Sequence, residues 1–250
     1  MKGKDRIIVA LDVDTIEAAL AHVLQLRDHV GLFKIGLELI FTILVQLLTP
    51  KSFKQAARNL QQARELFTAL SDRIMLDGKF KDIPNTMAGA ARAAHMLGVK
   101  MFTVHASASQ AGMAAAVDAA PGTGVIAVTV LTSMDEDTSR EVYGTGSGEG
   151  VLRFARLAVR AKATHLVCSP QDLPALQADP DLAALVKITP GVRSATADAG
   201  DQARIATPAQ AVKSGATYVV VGREITRPKG ETSVQAAQRI AAAIDEALCA

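Results

Sequence analysis

The chain has few aromatic residues and few cysteines. It contains no tryptophan, aromatic residues make up 4% of its 250 residues, and its two cysteines are Cys168 and Cys249. They could form only one disulfide, and neither lies in a CxxC motif or a Cys/His cluster, so a framework of several disulfides is excluded and a reduced, cytoplasmic protein is expected. The five histidines show no metal-ligand spacing, and we expect no metal site. The core must therefore consist mainly of Ala, Val, Leu and Ile, which suits buried parallel strands.

Strong net charge and long hydrophobic runs are also missing. The 27 basic and 25 acidic residues give a net charge of +2 without long runs of one sign, so no nucleic-acid partner is indicated. The most apolar stretch after the N-terminus, 39–48, contains Gln46 and is well short of the roughly 20 residues of a membrane-spanning helix. The first apolar run ends at Asp12 without a signal-cleavage pattern. We expect a soluble protein with no membrane partner.

Short runs rich in Val, Ile and Leu recur along the chain, and a longer Ala-rich segment of helical period follows each of them. Clear helix signals follow Asp14, Pro84 and Ala206, and Gly98 and Gly215 are suitable helix ends. Repeated βα units without a linker predict an α/β fold, a single-domain (β/α)8 TIM barrel over 1–250, with a doubly wound open sheet as the alternative. The predicted strands are 6–12, 32–36, 73–79, 101–105, 125–131, 165–169, 185–190 and 218–222.

The connection at 37–72 is long for one helix and its loops. Proline interrupts a helix, so Pro50 is expected to divide this segment into two helices.

Polar residues gather at the predicted C-terminal strand ends, where the chemistry of such barrels lies. Each position alone could simply end a strand, but together they predict a site. These residues are Asp12, Lys34, Asp77, Lys79, His105, Thr132, Gly222 and Arg223.

The stretch LDGKFKDIPNT at 76–86 is the most charged of these strand ends. It could be a solvated turn. However, Asp77 and Lys79 are two residues apart and share one face of an extended strand. Lys34 lies inside the apolar run LFKIG and needs a carboxylate if it is buried. We therefore predict a charge network of Lys34, Asp77, Lys79 and Asp82.

The end of the eighth strand is typical of a phosphate site. Gly222 permits close approach of a ligand to the backbone, Arg223 supplies a forked donor, and the next helix begins there. The preceding loop TPGVRSATADAGDQAR carries Arg193 and Gln202 and could cover that phosphate. An ordinary surface loop is the alternative.

LDGKFKDIPNT resembles the D-x-K-x-x-D signature of the orotidine 5′-phosphate decarboxylase family, bacterial type. The resemblance covers essentially the whole chain, with its motifs in the same order. The other matches are ALDVDT at 10–15, FKIGLEL at 33–39, TVHAS at 103–107, TVLTS at 129–133, CSPQD at 168–172, TPGVR at 189–193, GDQAR at 200–204 and VVVGREIT at 219–226.

The resemblance implies a carboxy-lyase of de novo pyrimidine biosynthesis. Such an enzyme converts orotidine 5′-monophosphate to uridine 5′-monophosphate and CO2 without a cofactor, as an obligate homodimer with two shared sites. The sequence itself contains no cofactor motif that could accept electrons from the carbanion, so electrostatic catalysis is expected.

The resemblance also implies residue roles. The catalytic set is Lys79 as proton donor, Asp77 beside the substrate carboxylate, Asp82 and Lys34. Asp12 and Lys34 would hold the ribose region, and Asp82 with Thr86 would enter the neighbouring subunit's site. Thr132 would contact the pyrimidine, while the 5′-phosphate would be held by Arg193, Gln202, Gly222 and Arg223.

The chain departs from the family at two positions inside the signature. Gly78 stands where a bulkier apolar residue is usual, and Lys81 where His is frequent. Neither position carries the chemistry in the family.

Three other functions are compatible with a barrel of this kind. A Schiff-base aldolase would need neutral Lys79, which two nearby carboxylates disfavour. A related DxKxxD sugar-phosphate decarboxylase or synthase resembles a metal-dependent enzyme, and the TVLTS, TPGVR and GDQAR matches favour the nucleotide enzyme instead. A non-catalytic phosphate-binding barrel would not need the complete set of Asp77, Lys79 and Asp82.

Overall fold

Eight parallel strands close into a barrel in the order β1 to β8, in a computed structural model that describes residues 1–194 and 206–249. Each strand lies where the sequence predicts one, and the sheet is the closed TIM barrel rather than the open alternative. The strands are β1 Ile7–Ala10, β2 Leu32–Gly36, β3 Ile74–Phe80, β4 Met101–His105, β5 Gly124–Val128, β6 His165–Val167, β7 Val186–Thr189 and β8 Tyr218–Val221.

Helices follow the strands and begin and end where local chemistry dictates. The Thr15 hydroxyl accepts a hydrogen bond from the Ala18 N–H at the start of α1. Gly98 and Gly215 have φ of +71° and +109° after their helices, as expected of helix-ending glycines. Among the described residues the α-helices are α1 Ile16–Leu26, α2 Leu37–Leu48, α3 Phe53–Leu70, α4 Pro84–Met96, α5 Gln110–Ala119, α6 Glu136–Tyr143, α7 Ser147–Arg160, α8 Leu173–Ala178, α9 Pro180–Ala183, α10 Pro208–Lys213, α11 Arg223–Thr226 and α12 Ser233–Cys249; short 3-10 turns lie at Gly3–Arg6, Ala106–Ala108 and Pro170–Asp172.

The long connection between β2 and β3 is two helices divided at Pro50, as predicted. The Ser52 hydroxyl starts α3 by accepting from the Gln55 N–H. Helix α3 buries Ala63, Leu66 and Leu70. Helix α2 buries only two of its apolar side chains and leaves five others 45 to 75% exposed. None of the helices within 1–194 and 206–249 is long and apolar enough to span a membrane.

The apolar core has two layers because strand side chains alternate between the two faces of the sheet. The larger layer lies between the strands and the helices and includes Phe33, Phe102 and Leu166. The smaller layer fills the barrel interior, and we call it the interior cluster; its buried members are Ile8, Ala10, Leu32, Met75, Met101, Ile126, Ile188 and Val220. Residues with the same alternation farther along each strand therefore face the mouth of the barrel.

One charged side chain is buried away from that mouth. The Lys187 side chain of β7 is 1% exposed, and its ammonium donates to the carbonyl oxygens of Leu182, Ala183 and Leu185 at 3.1, 2.8 and 3.1 Å. Burial lowers the pKa of this lysine. These three carbonyls lie just before β7, so Lys187 joins the strand to the preceding α9 turn.

Candidate active site

A chain of ion pairs crosses the mouth of the barrel from β1 to β3. The Lys34 Nζ lies 3.0 Å from Asp12 Oδ1 and 3.6 Å from Asp77 Oδ2. The Lys79 Nζ donates to the same Asp77 Oδ2 at 2.8 Å. Three of the four charges in the predicted network thus meet, with Asp77 at the centre, and Asp12 joins them through Lys34.

Asp77 is a buried carboxylate whose two oxygens have different partners. Its Oδ2 faces the two lysines, whereas its Oδ1 accepts a hydrogen bond from the Thr103 hydroxyl at 3.0 Å. Burial acts to raise the pKa of the Asp77 carboxyl, but the ammonium groups of Lys79 and Lys34 outweigh burial, so its pKa lies below the ordinary value. Asp77 is therefore ionised at neutral pH.

Strand β3 carries two extra residues at this point. Leu76 pairs with Phe102 and Phe80 pairs with Val104, so β3 advances four residues while β4 advances two. Within this bulge Lys79 has a φ of +47°, a region that residues with a Cβ rarely occupy. The Lys79 N–H donates to the Thr103 hydroxyl at 2.8 Å.

The unusual glycine of the signature has a packing reason. A Cβ at Gly78 would lie 2.6 Å from Cε1 of Phe80, whose ring folds back over the glycine. The same ring packs against Phe102, with 5.6 Å between the ring centroids. Phe80 thus occupies the space that a bulkier residue at position 78 would need.

A cavity of about 190 Å³ opens beside the charge network. Its walls differ in character, because β2 and β3 supply charged groups while β5 to β8 and the segments that follow β5 and β7 supply mostly apolar ones. Thr132, which was expected to contact a pyrimidine, is part of the wall. The lining residues are Lys34, Met75, Asp77, Lys79, Val128, Val130, Leu131, Thr132, Val167, Ile188, Pro190 and Val220.

Asp82 and Thr86 lie apart from this cavity within one chain. All of residues 81–86 are exposed, and the Asp82 Oδ1 accepts from the Ile83 N–H at 2.7 Å. Within the described residues Asp82 forms no ion pair with a lysine, so the fourth charge of the predicted network does not join the other three in a single chain.

Lys81 and His105 lie close to the network without joining it. Burial lowers the pKa of the His105 imidazole, and the positive charges of Lys81 and Lys79 lower it further. His105 is therefore neutral near pH 7. Lys81 remains exposed.

The residues expected at a phosphate follow β7 and β8. The Arg193 N–H donates to the Ala206 carbonyl at 2.9 Å, and its guanidinium donates to the Val192 carbonyl at 2.8 Å. Gly222 immediately precedes α11, and Arg223 is the exposed first residue of that short helix. Gln202 lies outside the described residues.

Thr103 is the residue of this site to which the sequence assigned no role. It is fully buried and contacts both Asp77 and Lys79. The alternation of Met101, Thr103 and His105 along β4 is the signal that could have identified it, because it places a hydroxyl on the inward face next to Asp77. Among the described residues, no three His, Cys, Asp or Glu side chains cluster as metal ligands.

Comparisons with known proteins identify one family. The sequence profile of the Orotidine 5'-phosphate decarboxylase / HUMPS family matches residues 5–240. Orotidine 5'-phosphate decarboxylase of Heliobacterium modesticaldum is 40% identical over 99% of both chains, and that of Anaeromyxobacter sp. is 43% identical over 90% of this chain and 92% of its own.

Solved structures lead to the same group. The crystal structure of orotidine 5'-phosphate decarboxylase from Lactobacillus acidophilus superposes with a TM-score of 0.72 at 28% identity, covering 96% of this chain and 98% of its own. The structural similarity therefore covers nearly the whole chain. The chain belongs to the Orotidine 5'-phosphate decarboxylase / HUMPS family.

Proposed function

We propose that this protein is an orotidine 5′-phosphate decarboxylase, a carboxy-lyase that converts orotidine 5′-monophosphate to uridine 5′-monophosphate and CO2 in de novo pyrimidine biosynthesis. The observation that carries the proposal is the network of Lys34 and Lys79 around the buried carboxylate of Asp77, beside a cavity with a mostly apolar opposite wall. The names and nearly full-length similarity of the curated relatives support the same reaction.

Lys79 is the proposed proton donor. When the bond between C6 of the pyrimidine and the carboxylate carbon breaks, its electron pair stays on C6 and CO2 leaves. The Lys79 ammonium, held by Asp77 at 2.8 Å, stabilises this negative charge and then transfers a proton to C6. Lys79 becomes neutral in that step and takes a new proton from water.

Asp77 and Lys34 fix the charges before the substrate arrives. Because Asp77 is already paired with both lysines, little rearrangement is needed when charge develops in the transition state. In this proposal Asp77 lies beside the substrate carboxylate, Asp12 and Lys34 hold the ribose region, and Thr132 contacts the pyrimidine. The apolar wall of the cavity accommodates the uncharged CO2.

The 5′-phosphate is proposed to bind at the ends of β7 and β8. Arg193 and Arg223 provide forked donors there, and Gly222 permits close approach to the backbone. Gln202 is a proposed fourth contributor. Binding energy from this remote group can be used at the reacting carbon. The reaction as proposed requires no metal or organic cofactor.

A second copy of the chain is proposed to complete each site. Asp82 and Thr86 follow directly after the strand that carries Asp77 and Lys79, yet both are exposed. We infer that they enter the partner's site, so that the enzyme is a homodimer with two shared sites.

The central experiment follows the loss of orotidine 5′-monophosphate absorbance with chelator-treated protein. Turnover without added metal is expected. No turnover, or turnover only with a divalent metal, would refute the proposal and favour a metal-dependent sugar-phosphate enzyme.

Lys79→Ala should abolish turnover while uridine 5′-monophosphate still binds in a calorimetric titration. Lys81→Ala is the matched control, since it removes an exposed ammonium two residues away, and it should keep nearly full turnover. Retained catalysis in Lys79→Ala would remove Lys79 from its proposed role.

Mixing inactive subunits tests the shared site. Lys79→Ala and Asp82→Ala chains, exchanged into heterodimers, should regain activity because one of the two composite sites then contains neither change. If mass spectrometry detects heterodimers but no activity returns, Asp82 does not act across the interface.

A further inference from the structure

We propose that Thr103 is a positioning residue for the decarboxylation: its hydroxyl holds the Asp77 carboxylate and the Lys79 backbone in one fixed arrangement. The proposal rests on the function proposed above. It assigns Thr103 no contact with the substrate. Its action is on the two groups that carry the chemistry.

The Thr103 hydroxyl uses both of its hydrogen-bonding capacities here. A hydroxyl has one donor hydrogen and acceptor lone pairs. The lone pairs accept from the Lys79 N–H at 2.8 Å, and the hydrogen is donated to Asp77 Oδ1 at 3.0 Å. Ionised Asp77 can only accept, so the direction of this hydrogen bond is fixed. Thr103 is fully buried, so its hydroxyl is shielded from bulk water.

The backbone hydrogen bonding between β3 and β4 is interrupted where the Thr103 hydroxyl binds Lys79. Between the Leu76–Phe102 and Phe80–Val104 pairs, β3 has two extra residues, and the Lys79 N–H is bound by a side chain of β4. Lys79 also has a φ of +47°. Such a conformation persists only where its surroundings hold it, and the Thr103 hydroxyl is one of the groups that hold it.

Thr103 also determines which oxygen of Asp77 faces the lysines. With Oδ1 bound to Thr103, Oδ2 is left to Lys79 and Lys34 at 2.8 and 3.6 Å. Without the hydroxyl, the carboxylate can turn and the Lys79 backbone loses a partner. The ammonium would then be displaced from its reactive position, and a displacement of about 1 Å can lower a rate on the order of 100-fold.

The test compares Thr103→Val, which keeps the shape but removes the hydroxyl, with Thr103→Ser, which keeps the hydroxyl. We expect kcat to fall roughly 10- to 100-fold in Thr103→Val with KM changed less than about 3-fold, and Thr103→Ser to recover most of kcat. Thr129→Val is the matched control. It removes another buried hydroxyl, which donates to the Val167 carbonyl at 2.9 Å, and should leave kcat unchanged.

A second measurement separates this proposal from the function on which it rests. If the unchanged protein does not decarboxylate orotidine 5′-monophosphate, the proposed function fails. The Thr103–Asp77 contact is then tested by a double-mutant cycle of Thr103→Val and Asp77→Ala in chemical unfolding, since each change removes one partner of the hydrogen bond and coupling between the changes supports it. Additive effects on stability, or full kcat in Thr103→Val of an active enzyme, would overturn the positioning role.

Discussion

Neutralising Asp77 should remove a large share of the stability at neutral pH and little of it in acid. Asp77→Asn keeps the acceptor for the Thr103 hydroxyl but removes the negative charge that faces Lys34 and Lys79 at 3.6 and 2.8 Å. Two ammonium groups then share one site without a carboxylate between them. Catalysis should be lost at the same time, since the position of Lys79 depends on this charge.

The size of the loss follows from burial. Removing one partner of a fully buried ion pair costs about 3–5 kcal/mol. Here the Lys34 and Lys79 side chains are 14% and 33% exposed, so water screens part of the remaining repulsion. The desolvation of the Asp77 carboxylate also disappears. We therefore expect Asp77→Asn to lower the free energy of unfolding by about 2 kcal/mol at neutral pH.

The stability difference between the unchanged protein and Asp77→Asn should depend on pH. The pKa of folded Asp77 lies below that of the unfolded chain, so its stabilisation is complete above about pH 3.9 and is lost as pH falls through the folded pKa. Urea unfolding of both proteins at equal protomer concentration, at about pH 7, 5 and 3, measures this difference. It should stay constant from about pH 7 to 5 and shrink near pH 3. An equal difference at about pH 3 and pH 7, or a more stable Asp77→Asn at neutral pH, would refute the reasoning.

Three further predictions test local packing and burial. Gly78→Val should lower the free energy of unfolding in urea by about 1–3 kcal/mol, because the new Cβ lies 2.6 Å from the Phe80 ring. Adding Phe80→Ala should recover part of that stability. Unchanged stability in Gly78→Val would contradict the predicted overlap. Lys187→Met should lower the free energy of unfolding by roughly 1.5–3 kcal/mol because three carbonyls lose a charged donor, and unchanged stability would refute this. Burial raises the pKa of the Cys168 thiol to about 12, so this thiol should be unreactive in the native protein. A thiol reagent should label only the exposed Cys249 in the native protein and both cysteines after denaturation. Labelling of Cys168 in the native protein would disprove this.

Much of the fold could be predicted because its signals are local. Eight Val- and Ile-rich runs with helical segments between them determine the barrel, and Pro50 determines the break between α2 and α3. The meeting of Asp77, Lys79 and Lys34 followed from two rules: polar strand ends share one side of a parallel barrel, and a lysine within an apolar strand needs a carboxylate.

The remaining features depend on how separate elements pack against one another, and the sequence of a single element does not reveal this. The two extra residues of β3 arise from its register against β4, and the role of Thr103 follows from that register. The exposure of Asp82 could not be predicted from spacing either, because only three positions separate it from Lys79 in the sequence. Helix α2 is apolar on several sides, and which side is buried depends on how the helix packs against the barrel.

The interior cluster gives the cavity a blind end. Met75, Ile188 and Val220 belong to that cluster and also line the cavity, so the barrel below them is filled with side chains. A bound molecule can therefore be lengthened toward the strand ends but not toward the floor. The volumes of these three side chains set the depth of the cavity, and trimming one of them, as in Ile188→Val, should admit a ligand enlarged by about one methyl group at its inner end. An inhibitor series for this protein would accordingly tolerate added groups in one direction only.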